Sequence, residues 1–358
     1  MPISFDSILG NEKAKKYLLS MLEKEKVGQL LLFSGIEGIG KSLFAEHFAK
    51  KLLNADSLIN HPDFYIYRPE GKLGMHSIES IRTMCEKVYL PPFLASKKIF
   101  VIHAAERMLP SSANALLKTF EEPSLNTLII LLSSNKRALL PTILSRCRAV
   151  RFLPIEQELI VEFLIKNCNK TESEADEIAA KAFGSIGKAF RLSLKGDDPV
   201  RNKLLALLSC HKVKLYSEIA EAAKTIAESL EEVKSQEEAA TKTLLLKKYI
   251  GDVTASEMQH ITKESEGAAA IAQTDFAQTL FEQVLSWYRD IILLKEGGDP
   301  ALLANPDFLM KLQEAATLNS PFTIESVQKK IAEAKLLLER STSLNIVLEN
   351  LFLKLNFL

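Results

Sequence analysis

The sequence predicts an α/β domain, a parallel sheet with helices on both faces, followed by an all-helical remainder. Three observations lead there. Between Leu30 and Phe48 a short apolar run stops at a glycine-rich turn, and apolar residues resume at helical spacing at 43, 44, 45 and 48. Further apolar runs of strand length alternate with helical patterns up to Phe152, which implies parallel pairing through crossover helices. Past Phe152 the strand signals disappear.

In chain order, residues 11 to 26 read as a helix, with Asn11 as cap and Ala14, Leu18, Met21 and Leu22 as its apolar stripe. Leu30 to Phe33 is the first strand, and the helix after the glycine-rich turn ends near Asn54. His61-Pro62-Asp63 breaks the chain before a second strand, Phe64 to Tyr67. A turn through Gly71 and Gly74 leads to a helix from Ser77 to Val88, which Pro91-Pro92 closes. Lys97 to Ile102 is a third strand, continuously apolar because both faces are covered. A helix from Ser111 to Glu122 is stopped by Pro123, and Thr127 to Leu132 makes a fourth strand. Pro154 marks a boundary. Beyond it, 155–168, 172–183 and 186–195 read as short helices, the second with a Thr171-x-x-Glu174 capping box. Gly196-Asp-Asp-Pro199 reads as a linker, and from about 201 the pattern is helical throughout, including Gln278 to Lys295 and Ile324 to Leu355. The charged stretch Glu228 to Lys247 reads as a solvated helix face.

The stretch Gly35-Ile-Glu-Gly38-Ile-Gly40-Lys41-Ser42 fills every fixed position of a phosphate-binding loop, between a strand and a helix as that motif requires. Glycines let backbone N–H groups curl around a polyphosphate, and the helix N-terminus adds a favourable dipole. Lys41 can reach terminal phosphates and Ser42 can ligate magnesium, so the expected cofactor is ATP with Mg²⁺. A glycine-rich turn that binds nothing is the plain alternative.

Composition removes several other classes. The 358 residues carry 45 basic and 45 acidic side chains, so no bulk charge favours coating a nucleic acid or an anionic membrane. The N-terminus has no basic segment followed by an apolar one, and runs such as Leu128 to Leu132 are too short to span a bilayer, which predicts a cytoplasmic protein with no membrane contact. Cys85, Cys147, Cys168 and Cys210 are scattered, as are the six histidines. A disulfide framework or a metal site needs clustered ligands, so no metal site is expected.

Several separate stretches resemble one family, the AAA+ clamp-loader subunits of bacterial DNA polymerase III. They are Ile8 to Asn11, the phosphate loop, His61 to Asp63, Lys98 to Met108, Asn114 to Pro123 and Pro141 to Cys147. Gly184 to Phe190 and Leu285 to Leu294 resemble the family's lid and collar segments, while 205–275 contributes little. The resemblance implies an AAA+ nucleotide-binding-like domain over 1–152, a three-helix lid over 153–198 and a helical collar for oligomerisation over 199–358. It also implies gamma or tau and delta subunits as companions, a sliding clamp as a further partner, and primed DNA reached through the complex. The collar would bury a stripe such as Leu285, Trp287 and Ile291 between subunits; a place in the chain's own core is the equal alternative.

The departures from the family matter as much. Members that hydrolyse ATP end their third strand with an Asp-Glu pair, where this chain has His103 and Ala104. Imidazole is a poor partner for hydrated magnesium and alanine cannot activate water, so the chain itself is not expected to hydrolyse ATP. Glu106 is weighed as a substitute and read as an exposed helix-start residue. The four cysteines that many relatives carry before His-Pro-Asp are missing from Leu53 to Asn60, so no zinc is expected. Gly187 aligns with an arginine that senses nucleotide in relatives, and the adjacent Lys188 reads as solvated. Arg146, in Ser145-Arg146-Cys147, resembles the family's arginine finger, which acts in trans on a neighbour's nucleotide; a surface salt bridge is the alternative. An active gamma/tau-like ATPase remains the rival function, and a small-molecule phosphotransferase a remoter one.

Overall fold

The structure, a computed structural model, describes residues 5, 8–24, 27–122, 124–194, 199–209, 215–247, 254–317, 323–340 and 342–356. Pro123, Cys210, positions 196–198 of the linker and the expected end of the first helix at 25–26 lie outside them. Two compact units emerge: Met1–Gly196 with Ala240–Ala268, and Asp197–Ala239 with Ala269–Leu358.

The first unit is built on five parallel strands, β1 (Leu30–Ser34), β2 (Phe64–Tyr67), β3 (Lys98–Ile102), β4 (Thr127–Ser133) and β5 (Arg148–Arg151), in the order β2-β3-β4-β1-β5. The helices between them are α1 (Glu12–Glu23), which precedes β1, α2 (Lys41–Leu53), α3 (Ile78–Tyr89), α4 (Pro110–Glu121) and the one-turn α5 (Pro141–Leu144). Alternation along each strand divides the core. Leu31, Phe33, Ile99, Val101, Ile130 and Leu132 pack with α1 and α2 on one face. Leu30, Leu32, Phe100, Ile102, Ile129 and Leu131 pack with α3 and α4 on the other. β5 is the strand the sequence reading lacked. Only Val150 of its four residues is buried, and at the sheet edge it pairs with β1 alone, so no apolar run marks it.

Beyond β5, α6 (Gln157–Cys168), α7 (Glu172–Ala182) and α8 (Ile186–Leu194) form a three-helix segment, with Ile160, Leu164, Ala175 and Ala189 joining the α1–α2 side of the core. Thr171 and Glu174 make the reciprocal capping box that the spacing predicted.

A further piece of the first unit comes from far along the chain. The boundary expected at 199 assigned everything after it to a collar, but residues 240–268 pack in the first unit. The start of α11 (Ala255–Lys295) lies against the turn after β2: Arg68 pairs with Glu264 at 2.9 Å, and the Gly71 N–H donates to the Lys263 carbonyl at 2.7 Å. A Cβ on Gly267 would sit 2.1 Å from the Pro69 carbonyl oxygen, so only glycine allows the approach.

Asp63 holds the loop before β3. Its carboxylate is 1% exposed and accepts backbone N–H bonds from Phe93 (2.6 Å), Leu94 (2.7 Å) and Ala95 (2.8 Å). Burial pushes its pKa up, but the three backbone donors outweigh that and hold it below the usual carboxylate value. A depressed folded-state pKa adds stability above the unfolded value, which is lost as the pH falls through the folded one. Asp63→Asn is therefore expected to lower stability by about 1–3 kcal/mol at neutral pH. In urea unfolding the gap to the parent should shrink below about pH 4; a gap constant down to pH 2 would remove the ionised carboxylate from the account.

In the second unit, α9 (Pro199–Leu208), the first part of α10 (Tyr216–Leu246), the last part of α11, α12 (Leu309–Thr317), α13 (Ile324–Glu339) and α14 (Leu344–Asn356) surround one core. Trp287 is 1% and Ile291 4% exposed within it, and Trp287 meets the Phe308 ring edge-on at 5.9 Å. The stripe considered for an intersubunit contact is thus used in the unit's own packing. Along α10 the face from Glu228 to Lys247 is largely exposed, as its charges predicted.

Candidate functional site

β1 ends at Ser34, and the chain turns at once: the Gly35 N–H donates to the Ser133 carbonyl at the end of neighbouring β4. The loop then runs to Gly40, whose φ of +100° suits glycine, and α2 starts at Lys41 with no side chain capping its first turn. Gly35, Gly38, Gly40, Lys41 and Ser42 are thereby brought together at the C-terminal edge of the sheet, where open α/β sheets bind ligands. The Lys41 ammonium is folded into the loop, donating to the carbonyls of Gly35 (2.6 Å) and Ile36 (2.8 Å). Burial lowers its pKa, against the opposing pull of Glu106 and Glu37.

The three-helix segment closes on the tip of this loop. Gly187 donates its N–H to the Gly38 carbonyl at 2.9 Å, and the Ser185 hydroxyl donates to the Glu37 carbonyl at 2.8 Å. A Cβ on Gly187 would stand 2.9 Å from Gly38 Cα, and one on Gly38 would stand 2.5 Å from the Ser185 hydroxyl. Two glycines 149 positions apart are thus both required for one contact. Lys188 lies over the exposed ring of Phe183 at 5.2 Å.

At the end of β3, His103 uses its backbone: its N–H donates to the Tyr67 carbonyl, and its carbonyl accepts from Nε2 of fully buried His76 at 2.7 Å. Burial lowers the His76 pKa and keeps that ring neutral. Ala104 has φ +46°, an uncommon conformation for a residue with a Cβ. Glu106 is not the exposed residue expected from sequence. One carboxylate oxygen accepts from the backbone N–H and hydroxyl of Ser134, the other is buried without a partner, and its charge acts on Lys41. The Ser133 hydroxyl is likewise buried and unpartnered. No short-range pattern links Glu106 to Ser134, 28 residues apart, so nothing local marks the pair.

Arg146 belongs elsewhere. Arg148 pairs with Leu31 near the start of β1, whereas the phosphate loop follows Ser34, which pairs with Arg151. The three steps from Arg148 to Arg151 put roughly 10 Å of strand between Arg146 and its own loop, at opposite edges of the sheet. Its guanidinium pairs with Glu121 at 2.5 Å and donates to the Thr142 carbonyl at 2.9 Å.

A glycine-rich loop between β1, an inner strand of a five-stranded parallel sheet, and its helix α2, with a three-helix segment closing on it, defines a P-loop module of the AAA+ class. Residues 10–156 match the family model described as DNA polymerase III, delta subunit. The chain is 27% identical over 220 residues to the delta-prime subunit of Bacillus subtilis, covering 57% of this chain and 63% of that one. To the delta-prime subunit of Pseudomonas aeruginosa it is 32% identical over 216 residues, 55% of this chain and 64% of that one. The gamma/tau subunit of Mycoplasma genitalium is 31% identical over 203 residues, 52% of this chain and 34% of that one. The chain thus spans less than two thirds of the curated relatives it matches. Among solved structures, a DNA polymerase III gamma subunit-related protein from Thermotoga maritima aligns at 15% identity, covering 88% of this chain and 97% of that one, with a TM-score of 0.42. The chain is similar to the bacterial DNA polymerase III clamp-loader subunits, and delta-prime, gamma and tau relatives match it over similar lengths. No described helix is long and apolar enough to cross a membrane.

Proposed function

We propose that the chain is a non-hydrolysing, delta-prime-like subunit of a DNA polymerase III clamp loader that lends Arg146 to the ATP site of a neighbouring subunit. The placement of Arg146 carries this reading: it stands at the sheet edge opposite its own phosphate loop, exposed and held by Glu121. A guanidinium there cannot serve its own loop, yet it presents planar donors to phosphate charge on an adjoining protein. Gamma or tau and delta subunits are the proposed companions, and the task is to help place a sliding clamp on primed DNA during replication in the cytoplasm.

The chain's own loop fits the phosphates of a nucleotide. The uncapped start of α2 and the turn through Gly38 and Gly40, which Gly35 opens, offer N–H donors, with Lys41 for the terminal phosphates and Ser42 for their magnesium. Bound there, ATP and its metal would supply a polyphosphate anchor and a chargeable leaving group. Hydrolysis needs more. His103 and Ala104 offer no carboxylate at the end of β3, and the Glu106 carboxylate is already engaged with Ser134. Loss of a general base costs about two to four orders of magnitude in rate.

The purified chain with magnesium and ATP is therefore expected to show no steady turnover. Vigorous turnover by the chain alone, abolished by Lys41→Ala, would replace this reading with that of a gamma/tau-like ATPase, whose relatives match over a similar part of the chain.

A further inference from the structure

Glu121 closes α4 and reaches across 25 residues to Arg146. Nη2 of the arginine donates to Oε1 of Glu121 at 2.5 Å, while Nη1 donates to the Thr142 carbonyl at 2.9 Å. Bonds from two different nitrogens fix the rotation of the guanidinium plane as well as its position. Beneath it the backbone is also fixed: the Arg146 N–H donates to the Ile143 carbonyl at 3.1 Å, and the Ser145 hydroxyl donates to the Thr142 carbonyl at 3.1 Å. Cys147 turns inward against the core that includes Leu116 and Phe120 of α4; burial pushes its thiol up to about 12, so it packs as a neutral apolar group. Both partners of the ion pair thus stand on one core.

We propose that Glu121 is the positioning residue of Arg146, holding the guanidinium ready for a phosphate oxygen of the adjoining subunit. The inference rests on the reading of Arg146 as a finger acting in trans. An arginine carries five N–H donors, and Glu121 and Thr142 take one each from Nη2 and Nη1. Among the described residues the remaining donors face no acceptor that competes with an incoming oxyanion, apart from a long 3.5 Å approach of Nη1 to the Ser145 hydroxyl. Without Glu121 the long side chain is free to sample rotamers that point away, and that entropy must be recovered on every encounter. An ion pair this exposed adds little to folding. Its contribution falls on the reaction.

The test uses the complete reconstituted assembly, with the ATP sites other than the one adjoining this subunit disabled, and compares Glu121→Ala, Glu121→Gln and Arg146→Ala. Glu121→Ala is expected to lower kcat about tenfold, with KM for ATP, subunit assembly and Tm unchanged. Glu121→Gln keeps an acceptor oxygen in the same place and should stay within about threefold of the parent. A Glu121→Ala assembly that turns over as fast as the parent or faster, while Arg146→Ala is inactive, would overturn the positioning role. Equal losses in both Glu121 variants would also overturn it, because the retained acceptor would then have rescued nothing. Parent-like turnover in Arg146→Ala is a different failure, that of the finger reading itself.

Discussion

Arg146→Ala is expected to slow ATP hydrolysis at the adjoining subunit's site by about a thousandfold or more, the scale on which an arginine finger acts. The loss belongs in kcat, because the guanidinium meets charge that builds on the transferring phosphate rather than charge already present on bound ATP. Assembly should be unaffected, since the side chain is exposed and its ion pair is with Glu121, on the same chain. Arg146→Lys is expected to recover little: an ammonium has the charge but not the planar pair of donors. Single-turnover hydrolysis in an assembly with its other ATP sites disabled, alongside size-exclusion analysis of the complex, measures both. A variant that fails to assemble would reassign Arg146 to the interface, and one that assembles and turns over normally would return it to the surface ion pair considered from sequence.

Phe44→Ala should have the largest effect on folding, a loss of about 3–5 kcal/mol. Phe44 is fully buried, one turn into α2 from Lys41. Its ring stacks on Phe5 with centroids 5.6 Å apart and meets Phe152 edge-on at 4.9 Å, while Phe33 meets Phe152 at 5.3 Å. Alanine would leave a cavity bordered by aromatic rings that cannot collapse into it without moving β1 or the chain after β5. Phe44→Leu retains most of the volume and is expected to cost under about 1.5 kcal/mol. Urea unfolding followed by circular dichroism compares the two, and equal losses would exclude the cavity as the cause. A displaced α2 would also carry Lys41 with it, so weaker ATP binding should accompany the alanine variant more than the leucine one.

The parts of the fold that the sequence disclosed are those whose cause is local. β1, β3 and β4 are covered on both faces, so each carries an unbroken apolar run, Leu30 to Phe33, Ile99 to Ile102 and Leu128 to Leu132, that is easily recognised. The phosphate loop was legible because its backbone demands glycine at set spacings, and Thr171 with Glu174 because a capping box is complete within four residues. β5 was missed because one buried valine between exposed arginines makes no pattern. α11 runs from Ala255 through the stretch Gln278 to Lys295, in keeping with a pattern helical throughout from about 201; Gly267 within it reflects the approach of Pro69 and not a break in the helix.

The site divides the same way. Gly35, Gly38, Gly40, Lys41 and Ser42 were found by motif. Ser185, Glu106 and Glu121 act through partners 148, 28 and 25 residues away, separations at which no helical or strand period connects two positions. Gly187 was noticed only as the place of a missing arginine, whereas its backbone N–H and lack of a Cβ are what bring the segment onto the loop.

The return of residues 240–268 to the first unit bears on how the protein is made. A chain emerging from the ribosome in order presents β2, the Pro69–Glu70 turn and Arg68 long before Lys263, Glu264 and Gly267 exist to cover them. Contacts separated by nearly two hundred positions are entropically late to form, so the last step in completing this unit waits for synthesis to pass residue 268. A gene fragment ending near residue 196 encodes the whole sheet and phosphate loop, yet it yields a module with an open seam beside β2.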